Sequence, residues 1–599
     1  SLSLPENLKV LEKYAFGNIA GLIKVTVNTT LEEISYDNGA FADTKGNTYV
    51  RTLVLGPSVA VFDINGVFGS AVLTSVEVDP SNPNFEAEGG VLFNKGKTRI
   101  VYYPSGKTGS YELPATVQEI GANVFYSNVN LTSIEFGPNL TTIDESAFES
   151  CTALEEIIFN SSDTAGGTLV IGKKAFYKCS VVRKIVLPTG KESITIGDEA
   201  FGGCAQLVSI DLPEGVTSIG HAAFQYCLWL EEISLPASLQ SMQSYSTDYK
   251  YTDYISSSTT GPTALAKEGT DNLDVFNNCT ALATITVAEG NQYFASIDGV
   301  LYGKNAETGA VETLYFSPEK TGGNGGTVTI PSTVTAIKDR AFTSNINIRK
   351  VVFEDRESTT ALDIGLWIFY RATSLEEISL PSGLTEIPDR MFYQAPIKSI
   401  FIPNTVTLIG EGAFFDCTNL AVLEFEEGGE NALVIADGVV DSSMETSVRY
   451  SMYYGAFAGC TKLTEIVLPE RTTEIGDYAF YLKQSNITPE EGLTTVTIPS
   501  TVTRIGKYAF ALPTLQTVTF TDGGSGQMTI GDYAFTRTSL TSIDLPSTLI
   551  TIGANAFQNN SSLTTVNMPA SIQTIGELAF YSNKNLATVN FPVDCALAT

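Results

Sequence analysis

The stretch from Phe201 to Phe224 reads F-G-G-C-A-Q-L-V-S-I-D-L-P-E-G-V-T-S-I-G-H-A-A-F, and it contains one complete copy of a unit that recurs along the 599 residues. Counted from the first Phe, the fixed places are Cys at +3, Leu at +6, Ile at +9, Leu at +11, Pro at +12, Val at +15, Ile at +18, Gly at +19 and Ala-Phe at +22 and +23. The Phe recurs at Phe16, Phe41, Phe68, Phe125, Phe148, Phe176, Phe201, Phe224, Phe276, Phe342, Phe369, Phe392, Phe414, Phe457, Phe480, Phe510, Phe535, Phe557 and Phe580. This repetition predicts a solenoid, because one unit cannot bury its apolar residues and stacked units can.

Within each unit, the spacing of apolar residues predicts a strand followed by a short helical segment. The L-x-x-I-x-L stretch places its last apolar residues in alternation, as in a strand with one buried face. Pro213 follows the strand, since proline cannot donate to a sheet ladder. A second short apolar pair, V-x-x-I, precedes a turn at Gly. In A-F-x-x-C-x-x-L the apolar spacing is three, which predicts one or two turns of α-helix or 3-10 helix.

The whole unit, I-x-L-P-x-x-V-x-x-I-G-x-x-A-F-x-x-C-x-x-L, resembles the BspA-type, or Treponema-type, leucine-rich repeat over nearly the entire chain. We therefore expect an α/β repeat solenoid over residues 1–599 as one continuous domain. It would be a leucine-rich-repeat-like right-handed superhelix with short parallel strands, short helical or 3-10 segments and β-hairpin insertions. The resemblance also implies a secreted or surface-exposed protein of a host-associated microbe, and some members of the family are adhesins.

Four insertions interrupt the repeat. Those near 82–114 and 291–331 resemble each other, and their alternating apolar residues around Gly-rich turns predict β-hairpins with a structural role. Those near 240–275 and 430–454 are rich in tyrosine and lie just before the Phe position, so both are expected to project from the same edge. Their candidate binding residues are Tyr245, Tyr249, Tyr251, Tyr254, Tyr450, Tyr453 and Tyr454. The alternative is that these rings pack on the neighbouring coil.

Charge limits the classes of partner. The chain has 35 Lys and Arg residues against 66 Asp and Glu residues, a net charge of −31. Such a surface repels nucleic acid and anionic lipid, whereas basic proteins, divalent cations and neutral glycans remain possible partners. No apolar run reaches the roughly 18–20 residues of a membrane span, so direct membrane insertion is not expected. Ser1–Pro5 resembles the strand end of a repeat, and we expect that an export signal has been removed upstream.

Most cysteines and paired glutamates, the residue types that could bind a metal or catalyse a reaction, occupy recurring places of the repeat. Seven cysteines share the +3 place and are predicted to form a buried column of inert thiols, namely Cys151, Cys179, Cys204, Cys227, Cys279, Cys417 and Cys460. Cys595 stands apart, and His221 is the only histidine, so a catalytic triad is not expected. The recurring L-E-E-I pairs are Glu32-Glu33, Glu155-Glu156, Glu231-Glu232 and Glu376-Glu377. A solvated strand face, a ligand-binding stripe and glycosidase-like catalysis are the alternatives for them.

The sequence favours binding over catalysis. We expect a monomeric protein, extracellular or on the cell surface, that recognises a protein or glycan partner such as a host matrix protein or another bacterial surface. No enzyme activity, cofactor or metal is expected. The competing hypotheses are a polysaccharide-acting enzyme on a solenoid scaffold and a structural stalk.

Overall fold

The computed structural model describes residues 1–6, 8, 14–28, 49–62, 73–160, 166–242, 274–323, 325–355, 362–441, 452–482 and 491–593. The chain divides into two compact units, Ser1–Tyr249 with Leu273–Ala295 and Lys250–Asn272 with Ser296–Thr599. This division does not test the expectation of one continuous domain over residues 1–599, which remains a prediction. Among the described residues, no helix is long and apolar enough to cross a membrane.

The first unit consists of coils that add one strand to each of their sheets. One parallel sheet contains Leu2–Leu4, Lys24–Val27, Thr52–Leu55 and Ser75–Val78. A second contains Gly109–Glu112, Leu131–Phe136, Glu156–Phe159, Lys184–Val186 and Ser209–Asp211. A third contains Phe85–Glu88, Val91–Asn94, Arg99–Tyr102, Glu119–Ile120, Thr142–Ile143, Thr168–Ile171, Ser193–Ile196, Val216–Ile219 and Ser241–Met242. Glu232–Leu235 pairs with Thr284–Val287, and Asp274–Phe276 forms a 3-10 turn.

The second unit repeats this construction. Its longest sheet contains Glu386–Ile387, Leu408–Ile409, Leu433–Ile435, Thr472–Ile475, Arg504–Ile505, Met528–Ile530, Leu549–Ile552 and Thr574–Ile575. The facing strands are Thr327–Ile330, Lys350–Phe353, Glu377–Ser379, Ser399–Ile402, Val422–Phe425, Glu465–Val467, Thr495–Ile498, Thr517–Phe520, Ser542–Asp544, Thr565–Asn567 and Thr588–Asn590. Other strands are Val300–Lys304, Val311–Phe316, Ala336–Ile337, Asp363–Ile364, Val440–Asp441 and Met452–Tyr453, and Phe294–Ile297 spans the boundary between the units.

The predicted parallel strands are confirmed, and their register follows the repeat. Ile157 pairs with Ile185, and Ile185 pairs with Ile210, so the +9 residues of successive coils lie directly on one another. All three are buried. Parallel pairing in register therefore buries an isoleucine ladder that no single coil could bury.

The structure does not support the predicted helical segments, nor the α/β class that they implied. Among the described residues no α-helix forms, and apart from the 3-10 turn at Asp274–Phe276 the A-F-x-x-C stretch is a run of tight turns. Lys174 and Lys178 flank Phe176 with φ of 55° and 61°, a left-handed conformation that a right-handed helix cannot contain. The Tyr177 N–H donates to the Lys174 carbonyl within the turn, whereas the Phe176 N–H donates to Ala200 of the next coil. Hydrogen bonds thus alternate between turn and neighbouring coil, and the apolar spacing of three comes from consecutive turns.

The repeat phenylalanines form stacked columns inside each unit, as predicted. In the first unit, the rings of Phe176 and Phe201 lie 5.4 Å apart at 5°, and those of Phe201 and Phe224 lie 5.6 Å apart at 8°. In the second unit, Phe557 and Phe580 stack at 5.1 Å with parallel planes. Each ring therefore fills the space between its two neighbours, and the column forms the centre of the core.

The seven +3 cysteines are buried and free, which confirms the predicted column. Each Sγ lies within hydrogen-bond distance of a carbonyl of the preceding coil, as from Cys204 to the Phe176 carbonyl at 3.3 Å. Asn560, at the same place, donates its amide to the Phe535 carbonyl at 3.0 Å. Burial raises the pKa of the Cys204 thiol to about 12. The Cys204 thiol is therefore a structural donor that stays protonated at neutral pH.

Both predicted hairpin insertions are confirmed. Phe85–Glu88, Val91–Asn94 and Arg99–Tyr102 pair antiparallel in sequence, and Arg99–Tyr102 then continues into the parallel sheet beside Glu119–Ile120. Val300–Lys304 and Val311–Phe316 pair antiparallel in the second unit. Each hairpin extends a sheet of the solenoid, which is consistent with the structural role expected for it.

Candidate functional site

The structure places the predicted tyrosines in different environments. Tyr245, Tyr249, Tyr251, Tyr254 and Tyr450 lie outside the described residues. Tyr453 ends the short strand Met452–Tyr453, which pairs antiparallel with Val440–Asp441 at the base of the 430–454 insertion. Tyr454 comes next and is 1% exposed. The candidate binding surface must therefore be sought in what Tyr454 contacts.

Tyr454 is buried among aromatic rings of the second unit. Its ring centroid lies 4.9 Å from that of Phe415 and 6.1 Å from that of Tyr393. The cluster also contains Trp367 and Ala458. Tyr454 thus anchors the insertion to the solenoid and does not offer its ring to a ligand in this conformation.

The rings around Tyr454 belong to two fixed places of the repeat. One place is two residues before the repeat Phe, and the other, which we number +1, is the residue after it. In the second unit many of these residues are aromatic, and together with Tyr454 we call them the aromatic edge: Trp367, Tyr370, Tyr393, Phe415, Tyr454, Tyr478, Tyr481, Tyr508, Tyr533 and Tyr581. Tyr478 stacks on Tyr508 at 5.3 Å, and Tyr508 stacks on Tyr533 at 4.7 Å. The coil spacing therefore sets rings in columns along one side of the unit.

Arg390 is the charged residue that holds this edge together. Its guanidinium lies 4.9 Å from the Trp367 ring centroid and 5.0 Å from that of Tyr454, so it is sandwiched between them. It also forms an ion pair with Glu411, and the two side chains are only 14% and 20% exposed. Burial raises the pKa of the Glu411 carboxyl, and Arg390 acts against that rise. Arg390 therefore fixes the insertion through Tyr454.

Asp416 is a second carboxylate near the edge. It lies at a left-handed position with φ of 53°, beside the buried thiols of Cys417 and Cys460. Burial raises the pKa of Asp416, although a hydrogen bond with the Gln394 side chain lowers it in part. The charged form is thus less favourable in the folded chain than in the unfolded chain.

Asp416→Asn is expected to raise the free energy of unfolding near pH 7 by roughly 1 kcal/mol, because it removes a poorly solvated charge. Asparagine keeps the left-handed backbone and an oxygen for Gln394. A raised pKa in the folded state means that native stability rises as the carboxyl protonates on acidification, so the difference should shrink near pH 4. Urea unfolding at both pH values measures it. Exposed Asp522→Asn is the control, and an unchanged difference between the two pH values contradicts the account.

A groove opens in the aromatic edge beyond Tyr481. Its volume is about 170 Å³. Tyr478, Tyr508 and Tyr533 line it, and Leu482 and Pro513 add apolar surface. Arg537 and Gln558 give it polar groups. The groove exists because the +1 residues of the two middle coils, Ala511 and Thr536, are small between the larger Tyr481 and Gln558.

The acidic strand pairs do not form a metal site in the part of the chain that the structure covers. No group of three or more His, Cys, Asp or Glu side chains suitable for a metal ion occurs among the described residues. Glu377 pairs with Lys350 at 3.0 Å, and Glu376 pairs with Lys398 at 2.5 Å. Lysines on neighbouring strands therefore balance these carboxylates. Glu32 and Glu33 lie outside the described residues.

The aromatic edge itself was missed in the sequence, although a signal was present. D-Y-A-F occurs at Asp477–Phe480 and at Asp532–Phe535, and K-Y-A-F occurs at Lys507–Phe510. A tyrosine fixed two residues before the Phe in successive units predicts a column of rings one coil apart.

Comparison with known proteins gives one family. A sequence model described as BspA-type leucine-rich repeat region matches residues 1–59, 100–168, 169–296, 324–430, 443–491 and 488–597. Among curated proteins, none matches the chain.

Several solved structures resemble the chain. The pneumococcal vaccine antigen PcpA is 17% identical, with 73% of this chain and 93% of that chain covered and a TM-score of 0.45. A leucine-rich cell surface protein from Faecalibacterium prausnitzii is 22% identical, with 74% and 96% covered and a TM-score of 0.38. A leucine-rich repeat protein from Bacteroides ovatus is 21% identical, with 85% and 93% covered and a TM-score of 0.36.

Proposed function

We propose a binding function from the premise that this chain belongs to the BspA-type leucine-rich repeat family. The protein is extracellular or displayed on a cell surface, acts as a monomer, and recognises a macromolecular partner, a protein or a glycan, through the second unit. The partner contacts the aromatic edge and the insertion between Val440–Asp441 and Met452–Tyr453. The protein acts by binding its partner, without catalysing a reaction and without a cofactor.

The aromatic edge carries this proposal. Tyrosine, tryptophan and arginine supply most of the binding energy at protein interfaces, because they combine large apolar area with polar tips and lose little rotamer entropy. Here the edge concentrates them: Tyr481, Tyr508 and Tyr533 are partly exposed around the groove, and Arg537 lines it. At the same two places of the repeat, the first unit has three aromatic residues, Tyr14, Tyr126 and Tyr177, and many of the others are polar, such as Ser146, Glu149 and Glu199. The contrast supports recognition by the second unit.

The insertion supports the same surface. Its base is an antiparallel strand pair, and Tyr454 and Arg390 fix that base on the edge. The strand pair that ends at Asp441 and resumes at Met452 therefore lies directly before Tyr454 of the aromatic edge. Loops on a rigid scaffold are common places for partner recognition.

The proposal predicts that the purified chain binds one component of a panel of host matrix proteins, bacterial surface preparations and immobilised glycans. Replacing residues 442–451 by Asn-Gly, which suits a two-residue hairpin turn between Val440–Asp441 and Met452–Tyr453, is expected to weaken that binding at least tenfold. Surface plasmon resonance against the captured component measures the change. Deletion of residues 161–165, a segment of the first unit, is the matched control.

Other outcomes separate the competing hypotheses. Products released from a polysaccharide panel would show an enzyme. Absence of both binding and turnover, with normal folding of both deletion variants, would favour a stalk. Equal loss of binding in the two deletion variants would place the partner elsewhere than on the aromatic edge.

A further inference from the structure

The +1 place of the repeat, directly after the repeat Phe, decides how the aromatic edge is filled. In three successive coils of the second unit this residue is an aromatic ring, Tyr370, Tyr393 and Phe415. In the next coil it is Ala458, and the chain fills the vacated space with Tyr454 from the insertion. At this coil the edge therefore accepts an inserted tyrosine beside a small +1 residue.

Ala511 is also a small +1 residue, and no ring of the described residues occupies the space beside it. The following +1 residue, Thr536, is also small, and the two together leave the groove of about 170 Å³. An apolar cavity of about 150 Å³ holds one benzene molecule, whereas sites for larger ligands measure roughly 300–1,000 Å³. The groove thus has the capacity for one six-membered ring.

The guanidinium and the aromatic rings that surround Tyr454 have counterparts at the groove. Tyr454 lies under the Arg390 guanidinium and against Phe415. At the groove, Arg537 supplies a guanidinium, and Tyr481 and Tyr508 supply rings that meet edge to face at 6.2 Å. A guanidinium attracts the electron-rich face of an aromatic ring, and aromatic rings favour such tilted partners. Gln558 adds an amide that can hydrogen-bond a phenol hydroxyl.

We propose that this groove is a socket for a single aromatic side chain, tyrosine above all, presented by an exposed segment of a protein partner. The inference rests on the proposed binding function and specifies the chemistry of its ligand. The partner's ring occupies the space over Ala511 and Thr536 as Tyr454 occupies the space over Ala458. The socket then supplies the aromatic anchor of a larger protein interface.

The test uses N-acetyl-tyrosinamide as the probe and saturation-transfer NMR with the full chain. We expect a signal at least tenfold above that of N-acetyl-leucinamide and of methyl glucoside. Ala511→Phe, which places in the groove a ring like that of Phe415, should reduce the signal at least tenfold. Gln225→Phe puts a ring at the same repeat place in the first unit and should leave the signal unchanged. Arg537→Asn, which tolerates the left-handed φ of 60°, should weaken binding roughly threefold.

Three outcomes would contradict the socket. The first is that N-acetyl-tyrosinamide gives no signal, and the second is that Ala511→Phe gives the same signal as wild type with an unchanged unfolding midpoint. The third is that methyl glucoside gives a stronger signal than N-acetyl-tyrosinamide and that this signal is lost in Ala511→Phe. The last would make the groove a glycan subsite. If a partner from the panel binds wild type and Ala511→Phe alike but is lost when residues 442–451 are replaced, the socket fails and the proposed function stands.

Discussion

Phe201→Ala is expected to lower the free energy of unfolding of the first unit by about 3–5 kcal/mol, the range for truncating a buried aromatic residue in a packed core. Phe201 is fully buried, and its ring stacks on Phe176 on one side and on Phe224 on the other. The truncation therefore removes both ring contacts and leaves a cavity in the centre of the column. Neighbouring coils cannot close it, because their strands are held in register.

The effect should spread along the chain from the substituted coil. In a stacked repeat each coil is stabilised mainly by its neighbours, so a weakened coil uncouples the coils on both sides. Urea unfolding gives the loss in free energy, and hydrogen exchange should show the amides of the coils around Phe176 and Phe224 opening first. Tyr226→Ala, in the turn of the next coil and 47% exposed, is the control and should cost less than about 1 kcal/mol. A similar cost for both substitutions would contradict the column as the centre of the core.

The core could be predicted because the same apolar residue types recur at the same places in many copies of the unit. A single Phe201 or Cys204 would say little, but the same residue at the same place in successive units implies that these side chains lie on one another. The parallel strands follow from the same logic, since the +9 isoleucines must pair in register when coils stack. The buried, inert cysteine column is the clearest case, because position alone separated it from metal or redox chemistry.

The helical segments could not be distinguished from tight turns by spacing. Both give apolar residues three apart, and the distinguishing feature is the left-handed backbone on each side of the repeat Phe. Glycine normally reveals such a position, yet here Lys174, Glu199, Ala222 and Tyr226 adopt it. The neighbouring coil stabilises that conformation through hydrogen bonds, such as that from the Glu199 N–H to the His221 carbonyl at 2.7 Å. Tertiary structure thus overrides a local preference that the sequence expresses.

The candidate site was predictable only in part. Of the tyrosines named in the insertions, the structure describes Tyr453 and Tyr454, and Tyr454 is buried in the aromatic edge. The burial of Tyr454 depends on Ala458, on Arg390 and on Phe415, which come from three different coils. The groove likewise depends on the sizes of four successive +1 residues. Ala511 and Thr536 are small, and the larger Tyr481 and Gln558 lie on either side of them. Such features require the coils to be aligned on their Phe positions and compared place by place.

Arg390→Ala is expected to destabilise the second unit by about 3 kcal/mol, near the lower end of the range for breaking a buried ion pair, because Glu411 keeps some exposure. The substitution leaves the Glu411 carboxylate without its cation and removes the guanidinium between Trp367 and Tyr454. Arg371→Ala is the matched control. Arg371 also lies over a tyrosine ring at 5.0 Å and also has a left-handed φ, but it is exposed, so its loss should cost below about 1 kcal/mol.

Two further measurements identify the Arg390 ion pair as the cause. In a double-mutant cycle with Glu411→Gln, the second substitution should recover about 1–2 kcal/mol in the Arg390→Ala background, because no buried charge is then left unpaired. Since burial raises the pKa of Glu411 and Arg390 opposes that rise, the carboxyl of Arg390→Ala should protonate more readily, and its stability deficit should narrow as the pH falls from about 7 to about 5. Equal deficits at both pH values, or additive effects in the cycle, would assign the loss to ring packing alone. In either case, faster hydrogen exchange at Tyr454 would show that Arg390 holds the base of the insertion on the aromatic edge.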